Sequence, residues 1–493
     1  MITATHKGKY YDVEYSIVNV SELEGELRID AEYYDPYYLE DEKKIKNKNW
    51  EFLIDKSTGR TITDGSHEMR QYVDRGILFL RVQDIFENYI EVQEQVYISE
   101  EENKKLKRSA PRKYKDILIT KTGKIGVASV FYLNKRANIP ADIAILKNNS
   151  NLNSFYIATF INSYYGKISM QHQMTGLGRP RLVLESFKYI KIPLPSETFQ
   201  KFIEKLVLKA YEERQKAEQL YKQAEEILLE ELDLKDWKPK SKKIKIGRQE
   251  FKEEENISIK MLSEVVKADR MDAEYWEPKY DEIEDLIKKY KNGYDYLPNL
   301  IDISKKKIKI NEDEIYHYIE LADINPNLGV VNQTKQIKGK KLPSRARMKV
   351  EKGYVIMSSV EGSIDKIALI DFERENLVAS TGFFVFKERE LNKETLLVLL
   401  KILAKKYIIR EAQGTILTAI PYDSLNRIVI PKVHQQTQQK ISQLIQQSFE
   451  ARENSKKLLE IAKRTVEIYI EKDEEEGINY ANTKLKELNI KVD

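Results

Sequence analysis

The chain contains itself twice, and this duplication limits the available folds more than any other feature. RIDAEYYDPYY (Arg28 to Tyr38) returns as RMDAEYWEPKY (Arg270 to Tyr280), 242 residues on, with seven of eleven positions identical. Further matches follow in the same order. VQDI (Val82 to Ile85) answers to LADI (Leu321 to Ile324), and DILITKTGKIG from Asp116 to GYVIMSSVEGSI from Gly353. YIKIPLP from Tyr189 answers to RIVIPKV from Arg427, and a long helical pattern follows each. A period this long is a duplicated domain, not a solenoid repeat. The expected fold is therefore α+β: two tandem pseudo-symmetric α/β domains, each followed by a long helix.

Composition sets the outer bounds. The 493 residues suffice for two domains with full cores. Lys and Arg (83) nearly balance Asp and Glu (79), so net charge alone identifies no partner and only local clustering can do so. There are no cysteines, which excludes disulfides, Cys-ligated zinc and cysteine nucleophiles, and accords with a reducing cytoplasm. The N-terminal segment has no apolar core of a signal peptide. The longest apolar stretch, around Leu396 to Ala404, is broken by Lys401 and too short to span a bilayer.

The two long helical patterns share a seam. Phe199, Ile203, Leu206, Ala210, Glu213, Ala217, Leu220, Ala224 and Ile227 alternate in steps of four and three, with Glu213 as a polar break. Ile441, Leu444, Ser448, Ala451, Ser455, Leu458 and Ala462 keep the equivalent register 238 residues on. Every seventh position is small in both: Ala210, Ala217 and Ala224 against Ser448, Ser455 and Ala462. Small residues at that spacing let two backbones approach closely, which predicts an antiparallel intramolecular coiled coil. Ser196 or Thr198 is the expected N-cap of the first helix. The expected segments are a first domain over 1–196, its helix over 197–234, a charged linker over 235–258, a second domain over 259–434, its helix over 435–472 and a tail over 473–493.

No catalytic constellation appears. Asp35-Pro36-Tyr37-Tyr38 approaches an amino-methyltransferase loop but lacks its second proline, and its repeat, Glu277-Pro278-Lys279-Tyr280, could not do that job. Gly123-Lys124 lacks the upstream glycine of a P-loop, and Gly176-Leu177-Gly178 lacks the third glycine of a dinucleotide loop. The five histidines are scattered, with no HExxH. No metal site is expected.

Basic and aromatic surface remains. Lys104, Lys105, Lys107, Arg108, Arg112, Lys113 and Lys115 precede the DILIT strand, and a similar basic loop from Lys335 to Lys349 precedes VIMSS. Recurrence at one topological point favours phosphate contact over a merely solvated face. The guanidinium forks of Arg179 and Arg181 suit guanine edges. The candidate DNA-contacting residues are Ser66, His67, Arg70, Arg81, Lys121, Lys124, Arg179 and Arg181 in the first half. In the second they are Lys305, Lys306, Lys338, Lys340, Lys341, Arg345 and Arg347. Scaffold blocks match between halves while intervening loops do not, as expected of two readers with different targets.

Taken together, the RxDAEYY block at Arg28, GILFLRVQDI at Gly76, DILITKTGKIG at Asp116 and KIPLPSETFQKFI at Lys191 make the chain resemble a specificity (S) subunit of a Type I restriction-modification system. The resemblance runs from about Ser21 to Glu471. It implies two target-recognition domains, each reading half of an asymmetric bipartite DNA site. It implies that the coiled coil sets the spacer and docks methyltransferase (M) subunits, typically two, which restriction/translocase (R) subunits join. The chain itself would be non-catalytic, with S-adenosylmethionine, ATP and Mg²⁺ on the partners. The competing readings are recognition domains fused to a methyltransferase or nuclease, and a protein-only scaffold. The whole-heptad insertion that would lengthen the spacer is expected after Ala217, matched after Ser455.

Overall fold

The computed structural model describes residues 18–20, 23, 29, 31–68, 70–175, 180–239, 243–246, 249–252, 259–414 and 418–492. Arg28, Arg179 and much of the charged linker lie outside the described residues. The chain forms two compact units, residues 1–215 with 451–493 and residues 216–450. Each unit takes one half of both long helices, α1 (Glu197–Glu231) and α2 (Gln435–Glu471).

The duplication is visible in strand pairing. In the first unit Arg60–Asp64, Ile143–Asn148, Ile117–Thr120 and Ala128–Val130 lie side by side as an antiparallel sheet. The second unit places Asp302–Ser304, Phe383–Lys387, Val355–Ser358 and Ile367–Leu369 in the same order. Each unit adds a second sheet with one parallel pair: Ile77–Phe79 beside Ala137–Asn138, and Ile315–Ile319 beside Leu377–Ser380. Trp50–Phe52 then pairs with Lys191–Pro193, and Tyr294–Tyr296 with Val429–Pro431, tying the start of each half to the strand before its long helix. The central strands Ile117–Thr120 and Val355–Ser358 are buried along their whole length, whereas the edge strands Arg60–Asp64 and Asp302–Ser304 are polar and partly exposed.

Capping residues account for the helix boundaries. Asp35 accepts from the Tyr37 amide at 2.9 Å and Pro36 opens the helix Pro36–Lys46, which accounts for the DPYY sequence. Ser196 caps α1, its Oγ accepting from the Phe199 amide at 3.2 Å. The apolar segment after the sheet is one helix in the second half (Lys393–Lys406) but two in the first (Ser154–Asn162, Tyr164–His172), broken at extended Ser163. Gly166 follows because a Cβ there would lie 2.0 Å from the Phe160 carbonyl oxygen. Within the linker, Lys243–Ile246 pairs with Gln249–Lys252 as an antiparallel hairpin. The tail carries a helix, Glu474–Glu487, whose Ala481 and Leu485 join the first unit's core.

Within each unit the long helices pack antiparallel. In the first, the Phe199 ring of α1 lies 5.1 Å from that of Tyr469 of α2, and Ser196 beside it meets Glu474 of the tail helix. In the second, Ser448 Oγ donates to the Ala217 carbonyl at 2.7 Å, and the Tyr290 hydroxyl links Glu231 to the His434 amide. A side-chain hydroxyl bonded to the facing backbone is possible only where both helices carry small residues. The buried seam runs through Ile203, Val207, Ala210, Arg214, Ala217, Tyr221, Ala224 and Leu228, and through Ile441, Ile445, Ser448, Arg452, Ser455, Leu459, Ala462 and Val466. The two sets correspond one for one. Leu206 and Leu458 are also buried, whereas Leu220 and Leu444 are half-buried beside Tyr221 and Ile445. The alternate step is thus one residue later than the apolar pattern suggests, and the polar position in the seam is Arg214 rather than Glu213.

Candidate nucleic-acid interface

The RxDAEY block fastens the entry of the second half; of its first copy, Arg28 and Asp30 lie outside the described residues. Arg270 folds back onto Asp272 (Nε to Oδ1 2.6 Å), and its guanidinium lies 4.6 Å from the Tyr275 ring. Arg410 lies 4.4 Å from the same ring and reaches Glu284 at 2.9 Å. In the first half His172 stands where Arg410 does, stacked 4.0 Å from Tyr33 and 5.1 Å from Tyr38, with Nε2 2.6 Å from the Tyr33 carbonyl oxygen. A cavity of about 10 Å³ beside Tyr38, Glu42, His172 and Lys191 has room for one water. These ring stacks, cationic on Arg270 and Arg410 in the second half, explain the strongest sequence repeat as a fastening rather than a reactive site.

A second repeat fastens each domain to its helix. Gln200 accepts from the Asn153 amide at 2.9 Å and donates to the Pro195 carbonyl at 2.9 Å. Gln438 does the same with the Asn392 amide (2.9 Å) and the Val433 carbonyl (3.0 Å).

The candidate DNA-contacting residues divide in two. Arg70 is only 8% exposed and held by Glu102 at 2.7 Å. Arg81 bonds Glu94 and its carbonyl, and Lys121 pairs with Asp64. Arg112 forks onto buried Asp116, which Lys147 also contacts at 3.0 Å; that carboxylate raises the Arg112 pKa. These cations are neutralised internally. Ser66 lies at a β-bridge to Pro140 and accepts from the Glu68 amide.

The rest face outward. His67 is 82% exposed, in a segment where residues 71–76 are exposed throughout. Bridges at Ser66 and at Val73, the latter to Tyr97, hold this segment in place. Lys124 lies 4.6 Å from the Phe86 ring, and Arg181 is exposed beside its bridge to Thr175. In the second half Lys305 and Lys306 are exposed on a segment that runs beside Ala346–Lys349. The Lys349 amide bonds the Lys306 carbonyl and the Ile308 amide that of Arg347, so the two basic stretches, apart in sequence, become neighbours. Lys338, Lys340, Lys341 and Arg345 are exposed nearby in sequence; Lys338 lies 3.5 Å from Asp313, and half-buried Arg347 bonds the Ala346 carbonyl. Such a surface of lysines and arginines can neutralise phosphates, and its polar loops can meet base edges.

Sequence reasoning missed Arg214 and Arg452. Both are buried at equivalent seam positions, 238 residues apart. Arg214 pairs with Glu91, and its guanidinium lies 3.7 Å from the Tyr89 ring. Burial raises the Tyr89 pKa, and the charges of Arg214 and Arg452 oppose that rise. The available signal was an arginine at the same step of both seams.

Among the described residues no group of three or more His, Asp or Glu is placed to hold a metal ion, and no helix is long and apolar enough to cross a membrane. No family model and no curated protein matches the chain. Solved structures do. The Type I restriction-modification S subunit of M. genitalium is similar over 86% of this chain and 96% of its own, at 13% identity and TM-score 0.36. The HsdS subunit of Thermoanaerobacter tengcongensis is similar over 86% and 97%, at 12% identity and TM-score 0.25. A structure from work on complex assembly and conformational transition of the type I R-M system gives 12% identity and TM-score 0.26. Superposition this loose adds no weight to the geometry of the interface.

Proposed function

We propose that the chain is the DNA-recognition subunit of a Type I restriction-modification complex, non-catalytic by itself. Each domain reads one half of an asymmetric bipartite site, the paired helices fix the spacer, and M subunits dock on the chain. R subunits, S-adenosylmethionine, ATP and Mg²⁺ belong to the rest of the complex. One observation carries the reading: a single fold occurs twice, each copy seated on half of the same antiparallel helix pair, with unlike loops on a repeated scaffold. Exposed Lys305, Lys306, Lys340, Lys341 and Arg345 supply phosphate contacts, and the outward loops of the two halves supply different base contacts.

The test is a gel shift of the chain assembled with M subunits, on the host's methylated site and on scrambled duplex, across a salt series. A sequence-dependent shift that weakens steeply with salt is expected. Lys340→Ala and Lys341→Ala should each weaken binding to all sequences alike and reduce the log–log salt slope by about one. Equal binding to both duplexes would reject DNA reading in favour of a protein scaffold.

A further inference from the structure

The seam distinguishes one helix from the other only weakly, through the Ser448 hydroxyl bond to Ala217 and the Tyr221/Leu459 difference. Its positions repeat residue for residue, with Ala210, Ala217 and Ala224 matching Ser448, Ser455 and Ala462. The small-residue stripe alone would therefore admit α1 against α1 of a second copy, or α2 against α2, at little steric cost. Discrimination has to come from beside it.

Besides the buried Arg214–Glu91 pair of the first unit, each domain meets its helix half through a partly buried lysine–glutamate pair, and the helix residues of these two pairs are equivalent. In the first unit Glu87, at the tip of the hairpin Ile85–Phe86/Tyr89–Ile90, reaches Lys463 of α2 at 2.6 Å and Lys167 at 2.5 Å. In the second unit Lys401 reaches Glu225 of α1 at 3.6 Å, lies 4.3 Å from the Tyr221 ring, and donates at 2.7 Å to the carbonyl of Asn327, in the matching hairpin. Glu225 and Lys463 are the same helix position, 238 residues apart. The lysine side chains are 10–11% exposed. The polarity is inverted: in one latch the long helix gives the cation, in the other the anion.

We propose that this inversion is a pairing code that selects α1 with α2 and rejects pairing of like helices between two copies. If α1 met α1 of a second chain, the first domain's Glu87 would face Glu225 in place of Lys463. If α2 met α2, the second domain's Lys401 would face Lys463 in place of Glu225. Both mispairings bring like charges together in partly desolvated seats, with Lys167 still beside Glu87 in the first, so they lose the native attraction and add repulsion. The code is a property of the helices and their seats, and holds whether or not the chain reads DNA.

The chain has no cysteines, so engineered pairs report pairing directly. Ala217→Cys with Ser448→Cys places thiols where Ser448 already bonds the Ala217 carbonyl, and reports native pairing as an intrachain disulfide. Ala210→Cys with Ala217→Cys places thiols about 10 Å apart on one helix, too far to close. Like-helix pairing instead brings the thiol at position 217 of one copy opposite the thiol at position 210 of another. Both reporters are refolded at high protein concentration, oxidised and run on non-reducing gels, with and without Glu225→Lys/Lys401→Glu.

That double variant keeps both native latches oppositely charged, so the intrachain reporter should still close. It also makes both like-helix pairings attractive, so interchain disulfide should rise at least fivefold over the parent. An unchanged interchain fraction would overturn the proposal, because chain connectivity alone would then set the pairing. Loss of the intrachain disulfide in the double variant would overturn it too, because the latches would not be exchangeable charges.

Discussion

Lys401 shows how one residue's setting turns into a measurable pH dependence. Burial lowers its pKa from 10.5 to about 8, against the opposing pull of Glu225 and Asp365. Between those values the unfolded chain holds a proton that the folded chain has released, so stability rises with pH, and near neutrality the charged form costs the fold. The full shift corresponds to about 3 kcal/mol. Urea unfolding of the chain and of Lys401→Met at about pH 7.5 and pH 10 should show the wild type gaining up to that amount relative to the variant. Parallel pH profiles would remove Lys401 as the cause. The same scale explains what the sequence left hidden at the candidate interface. Arg70, Arg81 and Lys121 look like any surface cation, and only folding brings Glu102, Glu94 and Asp64 to them. Lys305, Lys306 and Arg345 remain on the exposed face instead. A charge's destination depends on its non-local partner, which spacing along the chain does not encode.

At the scale of elements, the small-residue stripe is the feature that sequence and structure share most closely. Every seventh residue is small because the Ala217 carbonyl of α1 accepts the Ser448 hydroxyl of α2 directly. Ala217→Leu should therefore overpack the pair and cost about 1–3 kcal/mol. Ser448→Ala, which removes only the hydroxyl bond, should cost about 1 kcal/mol. Thermal unfolding of the two variants gives the order; if Ala217→Leu were neutral, the close approach would be wrong. The stripe was legible because it needs only side-chain volume and period. The intermediate positions were not, since steps of three and of four both keep a residue on the packed face. Leu220 looks the better core residue than Tyr221, yet Tyr221 is the buried one, with the Lys401 ammonium over its ring. The strands were legible mainly as repeated blocks. Their order in the sheets depends on pairings such as Ile77–Phe79 with Ala137–Asn138, between segments too short to carry a periodic signal.

For the whole molecule, the spacer reading makes a demand on helix register that the structure sharpens. Lengthening the helix pair by one heptad of the seam requires insertions that face each other across it. The repeat alone pairs Ala217 with its equivalent Ser455, but the hydrogen bond places Ser448 across from Ala217. The matched insertion therefore belongs immediately before Ser448, one heptad from Ser455. Seven residues added after Ala217 and seven before Ser448 keep Arg214 on Glu91, Lys463 on Glu87 and Lys401 on Glu225, because none of these contacts spans the inserted turns. The inserted pair would add about 10 Å of helix, about three base-pair steps of duplex. Methylome mapping of a host carrying this variant should return both half-sites unchanged with a longer spacer between them. The same half-sites at the original spacing would refute a helix-set spacer while leaving the two readers standing. Loss of either half-site would place the inserted turns inside a reader's seat, contrary to the packing of the seam around Ala217 and Ser448.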